Sequence, residues 1–386
     1  MATVPFLPTH REHGLVRSAL REALDWFLAA DRPAREQAVA EWERLFARFV
    51  RAAGAVGVPS GADGLELLLR SRRRRGAGTE VILPAWGPSW LLVATEAAGF
   101  EPVFVDVDEA TGLIDVEEAR AALNGRTVAV VAAEVDGRQT DWGPLRQLCD
   151  RFGILLAVDA TGALPRAPES PARRPHALVY DFSPGAPITA LHGAGTVVSD
   201  DFPTTDALRI ATSGGFAAGR RETAGRFAPM SALEARILSA KLATVGRRTE
   251  WRRTVVTTYR QRLESWAVLE KLALPPETAQ PALHGWTRFT LRFAGDRTAL
   301  RETAHRNGVT LRTPLDQWLP PLAVSGHQRS VERAQRLAQT ALELPCHAEM
   351  APQEVEGVLK ELDRWIPLTT SGGGNGRAAM RPIPRA

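Results

Sequence analysis

Lysine is almost missing from this chain. Of 386 residues only Lys241, Lys271 and Lys360 are lysine, and none occurs between Met1 and Ala240. Apart from histidine, the other basic side chains are arginine, whose guanidinium stays protonated and is no practical Schiff-base nucleophile. Covalent chemistry through an amine side chain is therefore excluded from the first 240 residues. Cysteine is equally sparse: Cys149 and Cys346 lie far apart, match no metal or redox spacing, and are expected to be buried thiols in a reducing compartment. No apolar run reaches the roughly 18–20 residues of a membrane span. The opening MATVPFLPTHREHG has no apolar signal-peptide core, so a cytoplasmic protein is expected. The net charge of +4 and the run Arg72–Arg75 invite a nucleic-acid partner. Those arginines follow the apolar run Leu65–Leu69, where cations suit a helix C-terminus, and no aromatic or zinc-type motif accompanies them. Neither nucleic acid nor membrane is expected as a partner.

What remains is an ordinary globular composition, 44% hydrophobic and 24% charged, long enough for a large domain plus a smaller one. Leu15–Ala30 and Ala34–Ala53 read as helices, the second with Trp42, Leu45, Phe46 and Phe49 at helical spacing. Val56–Arg70 reads as a strand, a small-residue turn and a helix. Such a turn is either a plain connection or an anion site built from free N–H groups at the helix N-terminus. Short apolar strands then alternate with helices: Glu80–Leu83, Ser89–Ala98, Pro102–Asp106, Val116–Leu123, Thr127–Ala133, Trp142–Phe152 and Ile154–Asp159. That alternation predicts a mainly parallel α/β sheet covered by helices, with ligands at the C-terminal strand ends. The acids there, Asp106, Glu134, Asp136, Asp159 and Asp181, are the site candidates, each equally readable as structural.

Ala177–Ser199 reads as a strand (Ala177–Phe182), a Gly/Pro loop and a second strand (Thr196–Ser199). Asp201–Thr223 reads as a glycine-containing connection and Met230–Leu269 as largely helical. A compact α+β unit follows, with strands Thr287–Phe293 and Thr310–Leu311 and helices Thr298–Asn307, Ser330–Leu342 and Pro352–Ile366. The expected organisation is N-terminal helices over 1–53, a large α/β domain over 54–245, a long helix with a small α+β domain over 246–368, and a disordered tail over 369–386.

Six stretches in order, PSGADGLELLL (Pro59–Leu69), EVILPAW (Glu80–Trp86), GFEPVFVDVDEATGLID (Gly99–Asp115), RFGILLAVDATGA (Arg151–Ala163), MSALEARI (Met230–Ile237) and LELPCHAEMAPQEV (Leu342–Val355), resemble the DegT/DnrJ/StrS sugar aminotransferases. The resemblance implies the fold-type-I aminotransferase architecture, a homodimer with sites at the subunit interface, pyridoxal phosphate (PLP) on an internal lysine, and a sugar-like or other small polar metabolite as substrate. It puts Ala186 at the lysine position, Ala62 where a hydroxyl residue follows the phosphate-loop glycine Gly61, and Asp181 where a serine binds phosphate. Pro88 falls near the aromatic that stacks on the cofactor ring, for which Trp86 or Trp90 is a substitute. Phe227, Ala228 and Pro229 replace polar residues, whereas Asp159 matches the aspartate that protonates the pyridine nitrogen. A dehydratase subgroup uses histidine at the lysine position. Here that position is Ala186, with His192 further along as either a relocated base or a surface residue, and Lys241 is less suited to act as a displaced lysine.

These departures predict a repurposed enzyme of bacterial secondary metabolism that forms no internal aldimine. Acid/base chemistry by Asp159, Asp181, Glu134 and His192 is expected, with no cofactor and no metal. The alternatives are an inactive partner subunit of an active paralogue and a dehydratase-like enzyme holding PLP or pyridoxamine phosphate (PMP) non-covalently.

Overall fold

The structure is a computed structural model that describes residues 4–6, 17–72, 78–165, 170–217, 219–221, 225–268, 272–276, 284–323 and 327–370. Its centre is a sheet of the order β1-β7-β6-β5-β4-β2-β3-β12. The strands are β1 (Gly54–Val58), β2 (Glu80–Pro84), β3 (Glu101–Val105), β4 (Thr127–Ala133), β5 (Leu155–Asp159), β6 (Ala177–Asp181), β7 (Gly195–Ser199) and the two-residue β12 (His327–Gln328). Pairs from β6 to β12 are parallel, and β7 runs antiparallel to both β6 and β1. β2 and β4 to β7 are almost entirely buried, as continuous apolar runs in a sheet covered on both faces require.

The covering helices are α1 (Arg17–Ala29), α2 (Arg32–Val50), α3 (Gly61–Arg70), α4 (Ser89–Ala97), α5 (Val116–Ala122), α6 (Gly143–Phe152), α7 (Phe202–Thr212), α8 (Ala232–Leu242) and α9 (Val245–Val268). α2 starts at the Asp31 cap and lays Trp42 and Phe46 on the sheet. Phe46 meets Tyr180 and Phe182 edge-on, and Trp42 Nε1 donates to Thr196 Oγ1 at 2.9 Å. The β6–β7 connection is thereby anchored from below.

A second core forms around β10 (Leu272–Ala273), β11 (Phe289–Phe293) and β13 (Ala341–Leu344), with α9, α10 (Arg297–Arg306) and α12 (Pro352–Thr370), while α11 (Glu332–Thr340) buries Ala334, Leu337 and Ala338 in the core of the main sheet. Tyr259, Phe289, Phe293 and Leu344 fill the second core.

Three sequence expectations need correction. Asp201–Thr223 holds a helix, α7, because Asp201 caps Thr204 N and Pro203 suits its first turn. Thr310–Leu311 is no strand: isolated bridges at Val309 and Arg312 flank it. The helix expected to run to Leu342 stops at Thr340, and Ala341–Leu344 pairs with β11 instead. α12 extends to Thr370; the rest of the expected tail and Arg73–Arg75 lie outside the described residues. Among the described residues no helix is long and apolar enough to cross a membrane.

Candidate active site

Topology gathers the acids before any side chain is considered. β4, β5 and β6 are parallel neighbours, so Glu134 after β4, Asp159 at the end of β5 and Asp181 at the end of β6 share one sheet edge. β1 runs parallel to β6, because each is antiparallel to β7 between them, and this brings the start of α3 to the same edge.

Thr161 joins two of the acids. Its N–H donates to Asp159 Oδ1 at 2.9 Å and its hydroxyl accepts from Asp181 N at 2.8 Å. Asp181 then reaches the helix: Oδ2 accepts from Gly61 N at 2.7 Å and Oδ1 from Ser183 N at 2.9 Å. A carboxylate suits the free N–H groups of a helix N-terminus. Glu134 is buried and accepts from Trp142 Nε1 at 3.1 Å. Burial pushes the Asp159 carboxyl up to about 7; its hydrogen bonds with Thr161 oppose the rise, and the charges of Asp181 and Glu134 add to it. Thr161 was missed in the sequence because it reads as a turn residue after β5.

The other strand-end acids lie outside this group. Asp106 is a docking residue: Oδ1 accepts from Val107 N and Ala334 N, each at 2.9 Å, and Oδ2 from Arg333 N at 3.0 Å, so it caps α11. Asp136 has a left-handed φ of 58° and is half-buried towards β11, where Arg288 and Arg138 act against the upward push of burial on its carboxyl. Arg288 Nη1 donates to Glu343 Oε1 at 3.0 Å and completes a charged seam between the two cores. Close by, His284 stacks on Trp286 at 3.6 Å and is held neutral, its pKa lowered to about 2 by burial and by neighbouring arginines.

Ala186 is half-buried in the loop after β6, and its N–H donates to Ser183 O at 3.2 Å. The loop is held from behind by cations. Lys241, 1% exposed, donates to Thr189 O, while Arg248 Nε and Arg252 Nη2 donate to Pro187 O at 3.1 and 3.2 Å. Lys241 is thus committed to the loop backbone. His192 is exposed, and its backbone N–H is held by Glu234 Oε1 at 2.9 Å. Trp86 is buried against Gly112 and pairs with Trp318, Trp90 is half-buried, and Pro88 precedes α4 as its cap. Ala62 is half-buried in the first turn of α3. Burial raises the thiols of Cys149 and Cys346 to about 12, so both are inert at neutral pH. Among the described residues no group of three or more His, Cys, Asp or Glu is arranged to hold a metal ion.

Residues 16–363 match the model of the DegT/DnrJ/EryC1/StrS aminotransferase family. The chain is 29% identical to the dTDP-3-amino-3,4,6-trideoxy-alpha-D-glucose transaminase of Streptomyces venezuelae, over 94% of this chain and 96% of that protein. Among solved structures, S. venezuelae DesV in complex with a ketimine intermediate superimposes with a TM-score of 0.83 at 26% identity, covering 95% of this chain and 99% of that one. NtdA of Bacillus subtilis with bound PMP gives 0.82 at 20% identity, covering 95% and 86%, a likeness of fold. The architecture is that of fold-type-I aminotransferases, and the chain belongs to the DegT/DnrJ/EryC1/StrS aminotransferase family.

Proposed function

We propose that this chain uses the family scaffold for acid/base chemistry on a sugar-like or other small polar metabolite, without an internal PLP aldimine. The observation that carries the reading is the buried Asp159 carboxyl, whose pKa of about 7 lets it hold or release a proton at neutral pH. Asp181 and Glu134 supply the negative charge that helps keep the proton on Asp159, and Thr161 fixes the orientation of its carboxyl. Roles divide accordingly: Asp159 exchanges the proton, while Asp181 and Glu134 are positioning residues.

PLP fits this edge poorly. The acceptors that a phosphate would offer to Gly61 N and Ser183 N are already supplied by Asp181, Ala62 has no hydroxyl, and Ala186 has no amine. The nucleotide-sugar relatives make a sugar the preferred substrate class, and the reading includes a homodimer. Exposed Leu191 on the β6–β7 connection, Phe216 on the β8–β9 hairpin (Phe216–Ala217 and Arg220–Arg221) and Phe227, which bridges to Ser213, are the apolar groups a second subunit would cover.

The test is exchange of substrate C–H for deuterium. A panel of nucleotide-linked and free keto sugars is incubated with the protein in D2O and followed by NMR. Incorporation at one carbon that disappears in Asp159→Asn is expected. Turnover that needs added PLP or PMP and an amino donor would overturn the reading in favour of transamination.

A further inference from the structure

We propose that Asp181 is a built-in anion, its carboxylate filling the anion cradle at the start of α3 so that this cradle accepts no phosphate-bearing ligand. The inference rests on the strand-end acids being the functional site. It adds a specificity determinant: the ligand that reaches Asp159 carries no phosphate at this point.

Three observations support it. First, Asp181 offers each carboxylate oxygen to a different backbone N–H, Gly61 at 2.7 Å and Ser183 at 2.9 Å, so both donors facing the strand end are satisfied from within the chain. Second, the fit depends on glycine: a Cβ at residue 61 would stand 2.8 Å from Asp181 Cβ and 3.1 Å from Oδ2. Third, the Ser60 cap of α3 and Asp63 in its first turn are also engaged within the chain. Ser60 Oγ accepts from Asp63 N at 3.0 Å and donates to Asp63 Oδ2 at 2.6 Å, and Asp63 also pairs with Arg226. A phosphate arriving here would meet the carboxylates of Asp181 and Asp63 at the helix end. An aspartate in this position does the work of a bound anion without any ligand.

The experiment uses the full chain as wild type, Asp181→Ser and Asp181→Asn. Binding is read as the thermal shift with inorganic phosphate against chloride of equal ionic strength, and as the absorbance change on titration with PLP against pyridoxal, which lacks the phosphate. The wild type is expected to show no phosphate-specific shift and no preference for PLP over pyridoxal. Asp181→Ser is expected to gain a saturable phosphate-specific shift and a preference for PLP of about tenfold or more. Asp181→Asn removes only the charge, keeps the shape, and is expected to show a smaller gain. It carries the test if the serine variant does not fold. Phosphate or PLP binding by the wild type as tight as by the variants would overturn the proposal, and so would a folded variant that remains indifferent to phosphate. Neither result depends on proton exchange by Asp159, so failure here is distinct from failure of the acid/base reading.

Discussion

Two groups of acids lie near the C-terminal edge of the sheet, and their surroundings differ in charge. In the seam towards β11, Asp136 and Glu343 face Arg288, which donates to Glu343 at 3.0 Å, and Arg138 acts on Asp136 as well. At the strand ends, Asp159 has Thr161 for a hydrogen-bond partner, and the negative charges of Asp181 and Glu134 act on it. The first arrangement is a paired charge at a packing seam. The second gathers like charges around a buried acid, which costs stability at neutral pH and leaves a proton available there. Burial raises the carboxyls of both groups, so the presence of a facing arginine, and not burial, is what distinguishes them.

If that contrast is right, the largest effect comes from Asp159→Asn. The folded-state pKa of about 7 lies above the ordinary value of 3.8, so between them the native state binds the extra proton. The favourable contribution is full below the unfolded pKa and is lost as pH rises through about 7. The wild type should lose up to roughly 4 kcal/mol relative to the variant across that window. Denaturant melts from pH 4 to pH 8 check this, and a variant with the same slope as the wild type would break the contrast. Next, Arg288→Met leaves the buried Glu343 and the half-buried Asp136 without their shared cation and should cost about 3 kcal/mol, with most of it recovered in the double variant carrying Glu343→Met. Asp106→Ala removes the cap of α11 and the Arg333 pair and should cost about 2 kcal/mol, read as a lower urea midpoint. The smallest change is expected at the exposed His192: His192→Ala should stay within about 0.5 kcal/mol and leave the titration of Asp159 unmoved.

Much of the frame was legible in the sequence. The alternation of strands and helices gives the sheet, and the acids after β4, β5 and β6 emerge on one edge because parallel neighbours end together. What could not be read was which strand-end acid has a cation opposite. Asp106 just past β3 and Asp159 at the end of β5 look alike in the sequence, yet Arg333, 227 residues beyond Asp106, pairs with Asp106, and no local pattern carries that information. α7 was hidden for a different reason: its run of Phe, Pro and Thr has weak helix propensity, and the Asp201 cap and the burial of Leu208 and Ala211 override it. Repulsion of a phosphate at Asp181 was foreseeable from charge, whereas the bond from Gly61 required coordinates.

The most direct test is the titration of Asp159 itself, followed by carboxyl carbon NMR on protein labelled at aspartate and assigned with Asp159→Asn. One aspartate is expected to titrate near pH 7 and to vanish in the variant. An Asp159 that titrates in the ordinary carboxylate range, near its usual 3.8, would contradict this expectation, because no proton would then be held at this edge at neutral pH.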